Sequence, residues 1–101
     1  MIKHKFHAKP CEADGKKFPS KLERSYYNQL KVRQANGEVL FFLRQVPFEI
    51  PGAKYLVDFA VFLASGDVEF IDTKGMDTPM SKMKRKAVEE LFPVTIKIVT
   101  R

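Results

Sequence analysis

Along the chain the hydrophobic positions change period several times, and each change marks an element. Residues 1–19 are basic and loosely patterned, and the turn dipeptide Asp14-Gly15 predicts a short β-turn or hairpin around 10–18. Pro19-Ser20 then opens a helix running to about Gln34 or Ala35, with Gly37 as its natural stop. At about 100° per residue, Leu22, Tyr26, Tyr27 and Leu30 form one apolar stripe on it. Residues 38–50, EVLFFLRQVPFEI, are rich in strand formers, and Pro47 within them predicts an edge, a bend or a bulge. Pro51-Gly52 makes the turn into an apolar strand at 55–63. Ala64, Ser65, Gly66 and Asp67 form the next turn, and Val68, Phe70 and Ile71 fill the strand after it. A three-stranded antiparallel meander is therefore predicted over residues 38–74.

The second half of the pattern is helical again. After the loop Gly75-Met76-Asp77, Thr78 caps a helix with Pro79 at its first position. Met80, Met83, Ala87, Val88 and Leu91 are its predicted apolar face. Lys82, Arg85 and Lys86 are predicted on the outer face. Lys84 projects toward the apolar side, either snorkelling outward or reaching toward bound phosphate. Pro93 ends the helix, and residues 94–99, VTIKIV, read as a closing strand that pairs in parallel after the helical crossover. The order is α-β-β-β-α-β, an α/β fold with a mixed sheet. The whole chain, residues 1–101, reads as one domain, with 1–19 as a basic arm or hairpin.

Composition narrows the classes of partner. With 45% hydrophobic and 30% charged residues over 101 positions, the chain can bury one modest core. Lys and Arg outnumber Asp and Glu by 18 to 12, a net charge of +6. A small domain this basic points to a polyanion, nucleic acid first, against the plainer reading of a solvated basic surface. The lone Cys11 excludes an internal disulfide and favours a reducing cytoplasm. No apolar run reaches membrane-spanning length, and MIKHKFHAKP lacks the apolar centre of a signal peptide. His4, His7 and Cys11 invite a zinc reading but have no fourth ligand nearby. A flexible arm whose Lys3, Lys5, Lys9, Lys16 and Lys17 touch phosphates is the stronger expectation.

Two acids interrupt the apolar hairpin strands: Asp58 in the first and Asp72 in the second. A carboxylate in a buried strand is costly unless it is paired or binds a metal. Lys74 follows Asp72 by two positions, so the alternation of a strand puts both on one face. Glu69 falls on the opposite face and reads as solvent-exposed. On the first helix, Glu23 lies inside the apolar stripe. It completes a capping box with Ser20, or it is an inward third carboxylate. Gln45, near the Pro47 bend, either pairs with backbone or points into the same site. Hydrolysis of a phosphodiester needs charge neutralisation and an activated water, which Mg²⁺ supplies to carboxylate, carbonyl and water oxygens at ~2.0–2.1 Å. Asp58, Asp72 and the backbone carbonyl of Thr73 are the candidate ligands. Lys74 is the candidate for orienting or deprotonating the water, and Glu23 for holding a metal-bound water or a second metal.

Glu23, then Asp58, then Asp72-Thr73-Lys74 resembles the signature of the PD-(D/E)XK nuclease superfamily, in which a helix acid precedes a hairpin carrying Asp and then Asp/Glu-x-Lys. The proline that precedes the first hairpin acid in that superfamily is replaced here by Val57. KFHAKPCEADGKKFPSKLERSYY, with RQVPFEI, VDFAVF and FIDTKG after it, is similar to a family of small phage-encoded proteins, some described as endonucleases. In layout the chain is also similar to the phage endonuclease I junction resolvases and to the endonuclease subunits of heteromeric transposases. The resemblance implies a restriction-endonuclease-like core and an endodeoxyribonuclease working with Mg²⁺ or Mn²⁺. It makes Glu23, Asp58 and Asp72 metal ligands, Lys74 the catalytic lysine and Gln45 an accessory. It further implies DNA as partner, branched junctions among the substrates, and a bacterial host cytoplasm. Lys16, Lys17, Lys21, Lys82, Lys84 and Arg85 are the basic positions expected to meet DNA. A chain this short has little surface to wrap a duplex, so a homodimer is expected. The alternatives are a non-catalytic nucleic-acid-binding module on the same fold and a transposon-end endonuclease subunit.

Overall fold

The computed structural model describes residues 10–100. The expectations for Lys3, His4, Lys5, His7 and Lys9 lie outside the described residues. β1 (Cys11–Ala13) and β2 (Lys16–Phe18) pair as a small antiparallel hairpin. Both of its loop residues, Asp14 and Gly15, are left-handed at φ 52° and 73°, the geometry that matches strand twist across a two-residue loop. α1 (Lys21–Ala35) follows, capped by Ser20, whose Oγ accepts a hydrogen bond from the Glu23 amide at 3.1 Å. β3 (Val39–Ile50), β4 (Ala53–Leu63) and β5 (Val68–Thr73) form the predicted meander. α2 (Pro79–Leu91) then returns the chain so that β6 (Ile96–Val99) pairs in parallel with β5. The sheet order is β3-β4-β5-β6, a mixed four-stranded sheet with two helices. Pro47 sits on the edge strand β3, where a missing N–H is tolerated. At the Pro51-Gly52 turn, Gly52 supplies the φ of +75° that a side chain would resist.

Two cores flank the sheet. Phe18, Tyr27, Leu30, Val39, Phe59, Val61 and Ile71 form the one beneath α1. Tyr55, Val57, Val88 and Ile96, with Phe48, Phe70 and Phe92 against them, form the one beneath α2. On β5 the successive residues Phe70 and Ile71 enter different cores, so these lie on opposite faces. On β4, however, Tyr55 and Val57 enter the α2 core while Phe59 and Val61, of the same parity, enter the α1 core. The hairpin thus exchanges its faces at Asp58. β3 exchanges its faces at the same level, Phe42 packing against the α1 core and Phe48 against the α2 core, and between them Gln45, flanked by the pairs Arg44↔Phe59 and Val46↔Val57, has φ 53°. A left-handed residue inside a strand breaks the two-residue alternation at that level.

The expected apolar face of α2 is a correction. Met80, Met83 and Leu91 are 59%, 64% and 56% exposed, and Val88 alone is fully buried on this helix. Ala87, of the expected face, and Lys84, expected to project toward it, are half-buried as predicted, but Ser81 and Arg85 join them in place of the methionines and Leu91. The sheet beneath α2 carries the buried hydroxyl of Tyr55 and the buried carboxylate of Asp72, which demand polar neighbours. The stripe Ser81, Arg85, Val88, Phe92 therefore turns inward, and the methionines face outward. Arg85 leaves the outer face for the same reason and makes two hydrogen bonds to Asp77, at 3.0 and 2.7 Å.

Candidate active site

The carboxylates that the sequence places on three different elements converge where the hairpin exchanges its faces. Asp72, near the end of β5, is 1% exposed. Its Oδ1 accepts the Asp58 amide at 2.9 Å, and its Oδ2 accepts the Tyr55 hydroxyl. Asp58 turns its own Oδ2 to Thr73, accepting from the amide at 2.8 Å and from the hydroxyl at 2.9 Å. Adjacent strands thus grip each other's acids: a β4 amide holds the β5 carboxylate, and a β5 amide holds the β4 carboxylate. Asp58 Oδ1 accepts from Gln45 Nε2 at 3.2 Å, and the same nitrogen reaches Glu23 Oε2 at 3.1 Å. Lys74 Nζ lies 3.7 Å from Asp72 Oδ2 and 5.7 Å from the centre of the Tyr55 ring.

Glu23 resolves the choice left open by its capping box. Its amide is held by Ser20, as a cap requires, but its carboxylate turns to Gln45 on β3. The residue is 2% exposed. Burial, then the charge of Asp58, push its pKa from 4.5 up to about 7, against the opposing pull of Gln45 and Arg44. Asp58 is raised as well, first by burial and then by the charge of Asp72, with Thr73 working in the other direction. Tyr55 is raised by burial and by its bond to Asp72, so it remains a donor.

Two buried acids, Glu23 and Asp72, and the half-buried Asp58 face two cations here, Lys74 beside Asp72 and Arg44 at 3.8 Å from Glu23. Among the described residues no three His, Cys, Asp or Glu side chains are drawn together as a closed metal cage. Hydrogen bonds from Gln45, Thr73 and Asp58 hold the acids in place instead. The donor set nevertheless fits a hard cation. Asp58 and Asp72 retain lone pairs beyond those in use, their mutual repulsion favours a divalent partner, and Mg²⁺ keeps several waters when bound by one or two carboxylates.

The remaining expected residues are distributed as follows. Lys16 and Lys17 are exposed on β2, Lys21 is exposed at the start of α1 and Lys82 is exposed on α2, while Lys84 is half-buried. Arg85 is occupied by Asp77, and its own charge is stabilised further by that bond. Glu69 lies on the face opposite Asp72 as expected, but it is partly covered rather than free, with Arg33 of α1 at 4.0 Å. Cys11 donates its Sγ hydrogen to the Ser20 carbonyl, 3.2 Å away.

Sequence reasoning missed two side chains at the site. Tyr55 is one, and its signal was a tyrosine in a buried strand, whose hydroxyl must find a partner. Arg44 is the other, an arginine inside the apolar run of β3. Its guanidinium lies 4.0 Å over the Phe18 ring and donates to the Lys17 carbonyl at 3.0 Å. Thr73 was valued for its carbonyl, whereas its amide and hydroxyl are what grip Asp58.

A small mixed α/β fold with a buried cluster of acids beside a lysine defines the general class. The chain belongs to the family described as "Protein of unknown function (DUF1064)", which it matches over residues 3–100. No curated protein and no solved structure matches it. No helix among the described residues is long and apolar enough to cross a membrane.

Proposed function

We infer that this protein is a metal-dependent endonuclease that hydrolyses DNA phosphodiester bonds, on a restriction-endonuclease-like core. The observation that carries the reading is the convergence of Glu23, Asp58, Asp72 and Lys74, from α1, β4 and the end of β5, on one hydrogen-bonded cluster. A purely structural network would have little reason to bury two acids, with a third half-buried beside them, and leave their charges only partly compensated. Asp58 and Asp72 would hold Mg²⁺ or Mn²⁺, with the Thr73 carbonyl and water completing the set. The bound ion would offset phosphate charge and lower the pKa of a water. Lys74 would orient that water or meet the phosphate, a role its 3.7 Å approach to Asp72 supports. Glu23 and Gln45 orient the Asp58 side from α1 and β3.

The net charge of +6 suits a nucleic-acid substrate. No recognition helix or base-reading insertion interrupts the described elements, which favours recognition of backbone and shape, with branched DNA as the substrate to test first. One chain carries one such cluster, so cutting both strands of a junction calls for two copies. A monomer in light scattering with DNA present would remove that part of the proposal.

The test compares wild type with Asp72→Ala on a labelled four-way junction and a matching linear duplex, with Mg²⁺ and with EDTA. Metal-dependent cutting that Asp72→Ala abolishes while binding survives is the expected result. Tight binding without cutting under any metal would overturn the enzyme reading and leave a DNA-binding module.

A further inference from the structure

A groove runs between the β1–β2 hairpin, α1 and the edge strand β3, on the α1 side of the sheet. Lys16, Lys31, Gln34 and Arg44 line it, with Tyr27 and Phe42 among its apolar walls. No Asp or Glu is among the described residues that line it. Neither Lys16 nor Lys31 forms an ion pair among the described residues. Lys16 and Lys31 are thus unneutralised cations at the rim of a groove with apolar walls, and such a cleft attracts anions more strongly than scattered surface charges do.

Arg44 joins this groove to the acid cluster. It lines the groove, and its Nη2 stands 3.8 Å from Glu23 Oε2. The Lys17 carbonyl and the Phe18 ring fix its guanidinium, while its Nε has no hydrogen-bond partner among the described residues. The helix sets the direction of the groove. Glu23, Tyr27 and Lys31 recur every four residues and so share one stripe of α1. That spacing puts Lys31 ~12 Å along the helix axis from Glu23.

We propose that this groove binds the phosphodiester backbone of the DNA strand flanking the cleaved bond, with Arg44, beside the acids, and Lys16 and Lys31 as its phosphate contacts. The proposal rests on the nuclease reading for which strand is held, but not for the binding itself. An axial span of ~12 Å corresponds to roughly three nucleotides of one strand. At the far end the Gln34 amide donates to the Leu40 carbonyl at 3.2 Å and keeps its second N–H for a phosphate. These contacts read no base, in keeping with recognition by backbone rather than sequence.

The experiment measures binding of a fluorescein-labelled DNA duplex by anisotropy, in EDTA, across a salt series, so that cleavage plays no part. Lys16→Gln and Lys31→Gln are compared with Lys54→Gln, an equal change of charge at the opposite end of the β3–β4 hairpin. All three lysines are exposed, and matching urea midpoints verify folding. Each groove variant is expected to weaken binding several-fold and to reduce the slope of log K against log salt by about one, with Lys54→Gln retaining the wild-type slope. Equal effects at all three positions would overturn the groove and leave only diffuse charge. The same series on an Asp72→Ala background separates the two readings. Groove effects that persist when wild type fails to cut support the groove and sink the nuclease. Metal-dependent cutting with no groove effect does the reverse.

Discussion

Gln45 stands opposite Asp58 across the β3–β4 ladder, and its side-chain amide bonds that carboxylate at 3.2 Å while its own backbone is left-handed at φ 53°. A non-glycine residue in that region costs of order 1–3 kcal/mol and persists only where its surroundings hold it. Here the amide nitrogen shared between Asp58 and Glu23 is what holds it. Gln45→Ala keeps the backbone cost and loses the bonds, whereas Gln45→Gly loses the bonds and relieves the backbone. The glycine variant should therefore be the more stable of the two by about 1 kcal/mol in urea denaturation, although glycine elsewhere in a strand weakens it. Equal midpoints would mean that the left-handed backbone stores nothing. If the protein is the endonuclease proposed above, both variants should also lose cleavage, since neither orients the acids.

The Tyr55 hydroxyl is the donor for Asp72 Oδ2, at a carboxylate that is 1% exposed. Tyr55→Phe preserves the ring in the α2 core and removes only the donor. The expected cost is about 1–2 kcal/mol of unfolding free energy, because a buried acceptor loses a partner. Unchanged stability would show that water replaces the hydroxyl without penalty.

The outward methionines of α2 make a contrasting prediction. Val88→Ala should cost about 2 kcal/mol, since Val88 is fully buried in the α2 core. Met80→Gln and Met83→Gln should stay within about 0.5 kcal/mol of wild type. Losses as large as that at Val88 would restore the face predicted from periodicity.

These residues mark where the sequence was legible and where it was not. Turns and caps were readable because each is a local event: Asp14-Gly15, Pro51-Gly52, Ser20 and Thr78-Pro79 all stand where their chemistry put them. The acid cluster was readable because an acid inside an apolar strand violates the strand's own pattern. The inward face of α2 was not. Its apolar residues follow a helical period, but the surface it meets carries Tyr55 and Asp72, and that surface is assembled from strands distant in sequence. Arg44 was hidden similarly: its ring partner Phe18, its carbonyl partner Lys17 and its acid Glu23 come from two other elements. The exchange of faces at Asp58 has no counterpart in composition, since glutamine is not a residue that announces a positive φ.

Glu23 should make stability depend on pH in the direction opposite to an ordinary ion-paired acid. Its pKa is 4.5 unperturbed and about 7 when folded, so between those values the folded state binds more protons than the unfolded one. Stability then falls as pH rises through that window, by less than roughly 3 kcal/mol once solvent screening is counted, because ionising Glu23 strips a buried charge of its hydration and sets it beside Asp58. Asp58, raised for a related reason, adds to the same trend. Glu23→Gln removes the titrating proton and keeps the shape, so its unfolding free energy should lose most of the slope and exceed that of wild type above pH ~7. Mg²⁺ should act on the same charge: at pH ~8 it should raise the melting temperature of wild type, by mass action on the folded state alone. The double variant Asp58→Asn, Asp72→Asn should show no such rise. Were the Glu23→Gln profile to fall as steeply as wild type, the raised pKa would belong to another group. Were the double variant to gain as much from Mg²⁺ as wild type, the ion would bind elsewhere.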